Sequence, residues 1–401
     1  MVKCHWWINM LRQLRVDNYR QLAQLVIDLG EVNVFFGANG AGKSSVLDAI
    51  CFFRDCVLWN TTFATSQRDS GLGLRWNGAS YDDLICVSFG TDRCQYDLQF
   101  NATAGRVDPF SGETLQLKES NLPLAIRIPS TNTIEALFEG KNEYQVIQLR
   151  EPQKPSLELL LDLNINWPAA TEMYATIKGV RSFASRMFPI QQLKSRGSDG
   201  DPSTSLDETA LNALSVLRNL HDRKNIDRRF DTIVGYMKQA FPTFEGLLLQ
   251  QTGPRTVYAS VLEKGRKSPI RLFGVSDGQI QLLLLLTALF CEELNEPHLL
   301  MFDEPETSLH PWALAVFADA VQHAATKFGR QVLIVTHSPV LLSQFSTEQL
   351  IVADVEDGRT RLRRLSDMDD VRDLLEEYSA GSLYMSQAIA PQSDGVPVEA
   401  N

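Results

Sequence analysis

The sequence predicts an α/β fold built around a phosphate-binding loop, and three stretches predict it. Val32–Phe36 is an apolar run that stops at Gly37, crosses the glycine-rich GANGAGKS and passes at Lys43 into the helical pattern KSSVLDAICFF. Much later, LLMF runs directly into the paired carboxylates Asp303 and Glu304. A third apolar run, QVLIVT, ends at His337. Short buried runs alternating with helical patterns are the mark of a sheet covered on both faces.

Length and composition bound the rest. At 401 residues the chain suits one large domain or two ordinary ones, and 44% hydrophobic with 22% charged residues is a globular composition. A net charge of -11 excludes whole-molecule attraction to nucleic acid or anionic membranes. Local basic groups remain, at Arg223, Lys224, Arg228 and Arg229 and at Lys264, Arg266 and Lys267, where solvated surface charge is the simpler reading. Six cysteines without a Cys-x-x-Cys pair argue against a zinc site, and MVKCHWWIN lacks the apolar core of an export signal. A reducing cytoplasmic setting is therefore expected. The ten residues 282–291 (LLLLLTALFC) are too few to span a bilayer and predict a buried helix, with no membrane partner.

Along the chain, residues 1–9 predict an extension and 10–385 one head. That head divides into a loop-bearing lobe (10–104), an inserted α+β and helical region (105–270) and a second lobe (271–385). Residues 11–36 predict two strands joined by a turn, followed by the helix from Lys43. Residues 61–73 and 101–123 predict loops, with YDDLICVSFG and CQYDLQFNA as strands between them. In 124–192, YQVIQLR and LELLLDLNI look strand-like, and 193–205 looks like a flexible loop. Helical periodicity fills 206–241 and about 277–294. The strand 299–302, the helix 312–328 and the strand 331–336 follow. The tail 386–401 predicts disorder from Pro391 onward. No repeat and no sustained heptad occurs.

Gly37, Ala38, Asn39, Gly40, Ala41, Gly42, Lys43 and Ser44 fit G-x-x-x-x-G-K-[ST] in full, with Ser45 extending the helix start. Glycines let successive N–H groups face a phosphate, and the helix N-terminus adds partial positive charge. Lys43 should reach the β- and γ-phosphates of ATP, and Ser44 should ligate Mg2+. Asp303 supplies a second magnesium anchor and Glu304 orients the attacking water, although such a pair on its own could simply cap a helix. His337, at a strand end, can donate to the γ-phosphate or sit in an ordinary turn. His310, between Leu309 and Pro311, is expected in a structural or interface part. Ser276 and Gly278, in VSDGQ, mark another helix N-terminus. Alone this is a cap, with Gln279 completing a capping box; beside the other motifs it is a second phosphate-binding end.

Taken together these residues resemble the ABC-type ATPase heads of the RecF, SMC and OLD families. GANGAGKSS resembles their Walker A motif, SDGQ a divergent signature motif, LLMFDEPE Walker B, ETSLHP the D-loop and VTHSP the switch histidine. LRVDNYRQL is similar to their first strand, whose arginine, here Arg20, approaches the nucleotide in some members. The resemblance spans roughly 11–100 and 270–385. It implies a two-lobed head with a mixed sheet, in which two copies bury two ATP molecules and Ser276 acts in trans. Nucleic-acid maintenance, repair or phage defence is implied as the setting, with DNA or an effector protein as partner.

Departures narrow this. The 233 residues from Lys43 to Ser276 and the lack of a coiled coil exclude the transporter and long-armed forms. Only 64 residues follow His337, too few for the Toprim nuclease domain of OLD proteins. Asp367-Met368-Asp369 is similar to such a nuclease's Asp-x-Asp but reads more simply as an acidic loop before a helix at 371–377. Gln191 and Gln192 are the best positions for the Q-loop glutamine, which no motif identifies.

Overall fold

The computed structural model describes residues 10–390 except 81, 104–105, 108–111, 121, 128–131, 139–142, 164–166, 253–255 and 293–297. The expected extension 1–9 and the tail from Pro391 lie outside the described residues. The chain opens with strands β1 (Gln13–Tyr19) and β2 (Leu22–Asp28), then β3 (Val32–Gly37) and helix α1 (Lys43–Leu58). Residues 25–36 (LVIDLGEVNVFF), expected as the second of the two strands, thus fall in two strands rather than one. Asn33 explains the break. Its side chain is fully buried and exchanges hydrogen bonds with Gly30, Oδ1 accepting at 3.0 Å and Nδ2 donating at 2.9 Å. That turn lets β2 remain in one sheet while β3 enters another.

A six-stranded sheet carries the motifs. Its order is β4 (Val180–Ala184), β5 (His298–Asp303), β6 (Arg330–Val335), β3, β7 (Leu350–Glu356) and β8 (Arg359–Arg364). Every neighbouring pair is parallel except β7 with β8. All six residues of β3 and of β6 are buried. They alternate between two cores, Val34 and Phe36 facing one and Phe35 the other. The Val34–Phe36 face packs on helices α2 (Asp277–Phe290) and α3 (Pro311–Phe328), where all residues from Ile280 to Phe290 are buried. The Phe35 face packs on α1 and an eight-stranded antiparallel sheet that holds β1 and β2. Two apolar layers thus grip the central sheet from both sides and hold its strand ends in place.

Four segments after α1 depart from expectation. Thr61–Ser66 is a helix, begun by Asn60, whose side chain accepts the Phe63 N–H. Gly112–Leu117 is a strand of the antiparallel sheet, not part of a loop. LELLLDLNI begins as a helix, Leu157–Asp162, because leucine and glutamate, neither branched at Cβ, favour helix. The expected flexible loop begins inside the helix Ile190–Arg196, and Ser198–Asp199 then pairs with Thr256 and Val257. The helical stretch 206–241 resolves into Ala213–Asp222 and Arg229–Ala240. After β6 come the short helices α4 (Pro339–Leu342) and, past β8, α5 (Ala380–Met385). Among the described residues no helix is long and apolar enough to cross a membrane.

Candidate active site

The site forms where β3, β5 and β6 end side by side. Parallel register aligns Val335 with both Phe35 and Asp303, so the residues that follow each strand emerge at one edge. From β3 comes the glycine loop, with Gly37, Gly40 and Gly42 at φ of 145, 78 and 87°. At Gly37 a Cβ would lie 2.0 Å from the Ala353 carbonyl oxygen, and at Gly42 it would lie 2.2 Å from Thr360 Oγ1. Only glycine lets the loop press against β7 and β8 at these two positions. Asn39 and Gly40 are exposed at the loop tip, Ala41 is buried beneath it and Ser45 is half-buried.

Lys43 is folded back into this loop. Its Nζ donates to the Gly37 and Ala38 carbonyls at 2.9 and 2.7 Å. Burial lowers its pKa to about 8, against the opposing pull of Glu304, Asp303 and Glu306. An ammonium kept desolvated and parked on carbonyls is ready for a multiply charged anion. Ser44 Oγ lies 3.4 Å from Asp303 Oδ1, bringing together the two oxygen donors expected to bind magnesium. Burial raises the Asp303 pKa, only partly countered by Arg186, whose Nη2 lies 3.9 Å from Oδ2.

Glu304 follows in a left-handed conformation, φ 52°, with its N–H on the Val335 carbonyl at 2.9 Å. That strain turns the chain sharply at the strand end and sets Glu304 into the crevice beside Lys43. Glu306 returns to the neighbouring strand end, where its Oε1 accepts the His337 N–H at 2.7 Å. The His337 pKa is lowered by burial and by the Lys43 ammonium, with Glu304 opposing. Asp303, Glu304, His337 and the glycine loop therefore meet at one edge of the sheet.

Ser276 and Gly278 lie apart from it. Ser276 caps α2, its Oγ accepting the Gln279 N–H at 3.3 Å and donating to Gln279 Oε1 at 3.2 Å, so the Ser276 cap forms while the Gln279 side chain meets the hydroxyl rather than the backbone N–H that a full capping box requires. A Cβ on Gly278 would come within 2.6 Å of the Ser308 carbonyl oxygen, so the glycine admits the close approach of the Ser308 backbone. Among the described residues no hydrogen bond joins Ser276 or Gly278 to residues 37–45. Gly278→Ala is expected to lower the denaturation midpoint by an amount worth about 1–3 kcal/mol, because the added methyl meets a backbone oxygen. Urea titration checks this.

Arg20 is paired on α1. Its Nε pairs with Asp48 Oδ2 at 2.8 Å on α1, beside the Tyr19 hydroxyl at 2.6 Å and Arg68 Nε at 2.8 Å. His310 caps α3, with Nδ1 accepting the Trp312 N–H. Gln191 and Gln192 are exposed on their helix, and the residue after β4 that comes near Asp303 is Arg186. Asp369 pairs with Arg372, and no metal-binding group of three or more His, Cys, Asp or Glu occurs among the described residues.

Sequence reasoning missed a second flank of the loop. Thr360, 1% exposed, packs on Gly42, and the Arg359 guanidinium lies 4.9 Å from the Trp76 ring centroid. Arg75, beside Trp76, has Nε and Nη2 buried without a hydrogen-bond partner, as has Thr360 Oγ1. Arg75, Trp76 and Thr360 are all tied by backbone bonds to the β1–β2 turn. No spacing rule links positions 75–76 and 359–360, so only the fold reveals them.

Comparison with known proteins agrees with this fold. An SMC head solved with the C-winged helix domain of ScpA superposes with a TM-score of 0.51 at 15% identity, over 89% of this chain and 99% of that one. The OLD nuclease of Thermus scotoductus is 24% identical over 378 residues, 90% of this chain but 66% of that protein. The chain thus spans just under two thirds of that relative's length. RecF of Leptospira interrogans is 36% identical over 72 residues, 18% of each chain. Fold and crevice define an ABC-type ATPase head of the RecF, SMC and OLD group. Within that group the chain belongs to the family described as "AAA domain, putative AbiEii toxin, Type IV TA system", whose profile matches residues 32–343.

Proposed function

We propose that the protein binds and hydrolyses ATP in a head-to-tail dimer and couples turnover to nucleic-acid maintenance, repair or defence against phage. One observation carries the reading: Lys43, Ser44, Asp303, Glu304 and His337, drawn from three strand ends, surround a single crevice. Lys43 exchanges its two carbonyl partners for β- and γ-phosphate oxygens, and the α1 N-terminus supports the same charge. Ser44 and Asp303 would hold a magnesium ion, which would supply neutralisation of phosphate charge. Glu304 orients and polarises the attacking water, and His337 donates to the γ-phosphate. The unpartnered Arg75 nitrogens and the Trp76–Arg359 pair favour the nucleoside end beside Gly42.

Ser276 and Gly278 support the dimer, because their own chain gives them no partner in the glycine loop. A second copy brings its signature helix to that loop and closes the site. ATP is then the joint, and hydrolysis opens it. Arg20, held on Asp48, joins the phosphates only by leaving that carboxylate.

A second reading, an ATP-gated scaffold for a separate nuclease or toxin, is favoured by the toxin–antitoxin description of the family. Light scattering with and without ATP, together with hydrolysis assayed with and without DNA, tests both. The first reading expects an ATP-dependent dimer whose turnover DNA stimulates, less so as salt rises. Stable co-purification of an effector with no DNA response supports the scaffold instead. A persistent monomer with bound ATP sinks the sandwich in either form.

A further inference from the structure

We propose that Arg186 is a catalytic residue of its own chain's crevice, where its guanidinium takes up charge that shifts on the transferring γ-phosphoryl group. The proposal rests on the ATPase reading and adds to it a cation that no motif supplies.

Strand pairing delivers Arg186 to the crevice. β4 runs parallel to β5 with Ala184 opposite Asp303, so the residue two places beyond Ala184 emerges at the edge where Asp303 and Glu304 stand. The register is held from two sides. Phe183 and Phe302, the preceding matched pair, are fully buried and stack at 5.6 Å and 24°. From the other side Gln281 of α2, 1% exposed, donates to the Ser185 carbonyl oxygen at 3.4 Å. Ser185 opens the tight turn Ser185–Met187, so the Arg186 main chain is fixed both to the sheet and to the helix that Ser276 begins.

The side chain is held quite differently. The Arg186 guanidinium is 62% exposed and makes no hydrogen bond among the described residues. Its ion pair, Nη2 to Asp303 Oδ2, is long at 3.9 Å, and an exposed pair of that kind adds little to stability. A lightly tethered arginine on a fixed turn is a cation at the mouth of the crevice with its donors unspent on protein. Asp303 divides its oxygens to match, Oδ1 facing Ser44 at 3.4 Å and Oδ2 facing Arg186. Lys43 from the loop and Arg186 from the turn after β4 thus both act on this carboxylate.

Where Ser44 and Asp303 take a divalent cation, like-charge repulsion releases Arg186 from Oδ2, and the phosphate oxygens beside that site are the anions it turns to. In hydrolysis the water oxygen bonds to the γ-phosphorus while the bond to the β–γ bridging oxygen breaks. The electron pair of that bond stays on ADP, and the proton of the water passes to Glu304. Arg186 gives up no proton. It donates N–H bonds to the γ-phosphoryl and bridging oxygens, across which charge moves as the bond breaks. A planar guanidinium meets two such oxygens at once, which an ammonium cannot do in the same geometry.

The test uses the full chain and two variants of this exposed side chain. Arg186→Ala is expected to lower kcat on the order of 10^3-fold while the ATP Kd stays within about threefold. Arg186→Lys, which keeps the charge without the fork, should restore only part of that loss. A second readout needs no turnover, namely fluorescence titration with N-methylanthraniloyl-ADP and magnesium, with and without fluoroaluminate in place of the transferring phosphoryl group. Fluoroaluminate should tighten wild-type binding about a hundredfold or more, and Arg186→Ala should lose that gain while binding the ADP probe alone as before. Gln281→Met keeps the buried volume and removes the bond to Ser185. It should lower kcat by a smaller factor and have no further effect in Arg186→Ala. Wild-type turnover in Arg186→Ala, or a retained fluoroaluminate gain, overturns the proposal and leaves the ATPase reading standing. Weakened ATP binding with kcat unchanged makes Arg186 a ground-state contact and overturns it as well. A wild-type chain that does not hydrolyse ATP takes both down.

Discussion

Lys43→Ala is expected to raise the ATP Kd by about two to four orders of magnitude while leaving the head folded. The ammonium is 5% exposed and makes two charge-assisted hydrogen bonds, both to loop carbonyls that a bound polyphosphate replaces. Bonds to charged groups are worth roughly 1.5–3 kcal/mol each, and two of them convert to about that change in Kd. Stability should move the other way. The folded pKa of about 8 lies below the ordinary value of 10.5, so the unfolded chain binds this proton more tightly. Wild-type stability therefore rises with pH between those two values, and the variant, which has no such group, loses that slope and melts no lower at neutral pH. The same pKa makes wild-type ATP affinity fall above pH 8, as Lys43 loses its charge. Calorimetric titration with ATP, alongside thermal melts across that range, reads all three effects. Unchanged affinity in the variant would remove the loop from the ATP site.

What the sequence revealed was whatever has a fixed spacing. The glycine loop, Asp303, Glu304 and His337 each follow an apolar run, and parallel pairing brings the ends of such runs together, so reading the strands was enough to read the crevice. The apolar helix at 282–291 was legible for the same reason, since a run with no polar face must be buried. Other features were hidden by physics that acts across the chain. Asn33 divides one apparent strand by bonding a turn three residues away, which no periodicity records. LELLLDLNI was read as a strand because a short apolar run carries no period, and its leucines decided for helix. Arg20 was placed by analogy at the nucleotide, yet Asp48 holds it on α1. Arg186 stands near Asp303 where a glutamine was sought, and Tyr384 and Thr360 reach the loop from segments with no motif at all.

Glu304→Gln is expected to bind ATP as the wild type does, to hydrolyse it about 10^2 to 10^4 times more slowly, and to accumulate as a dimer. The substitution isolates one property. Glutamine has the shape of glutamate and keeps the left-handed turn at φ 52° and the N–H bond to Val335, so the strand end and the neighbouring Asp303 stay where they are. What disappears is the anionic oxygen that accepts a proton from water, and loss of a positioned general base costs about that factor. Lys43 also loses the carboxylate that most strongly favours its charged form, so its pKa falls below the wild-type value of about 8 and affinity should be read well below that pH. If hydrolysis opens the dimer, a variant that binds and does not turn over is held closed. Light scattering would then give twice the monomer mass with ATP and the monomer mass without it. Ser276→Arg in the same chain places a bulky cation where the partner's phosphate should lie, and should return the trapped species to monomer. A slow variant that stays monomeric would leave Glu304 with its role in hydrolysis and remove the head-to-tail dimer. A variant that still turns over at the wild-type rate would mean that another group activates the water, with Glu306 the nearest carboxylate on the same loop.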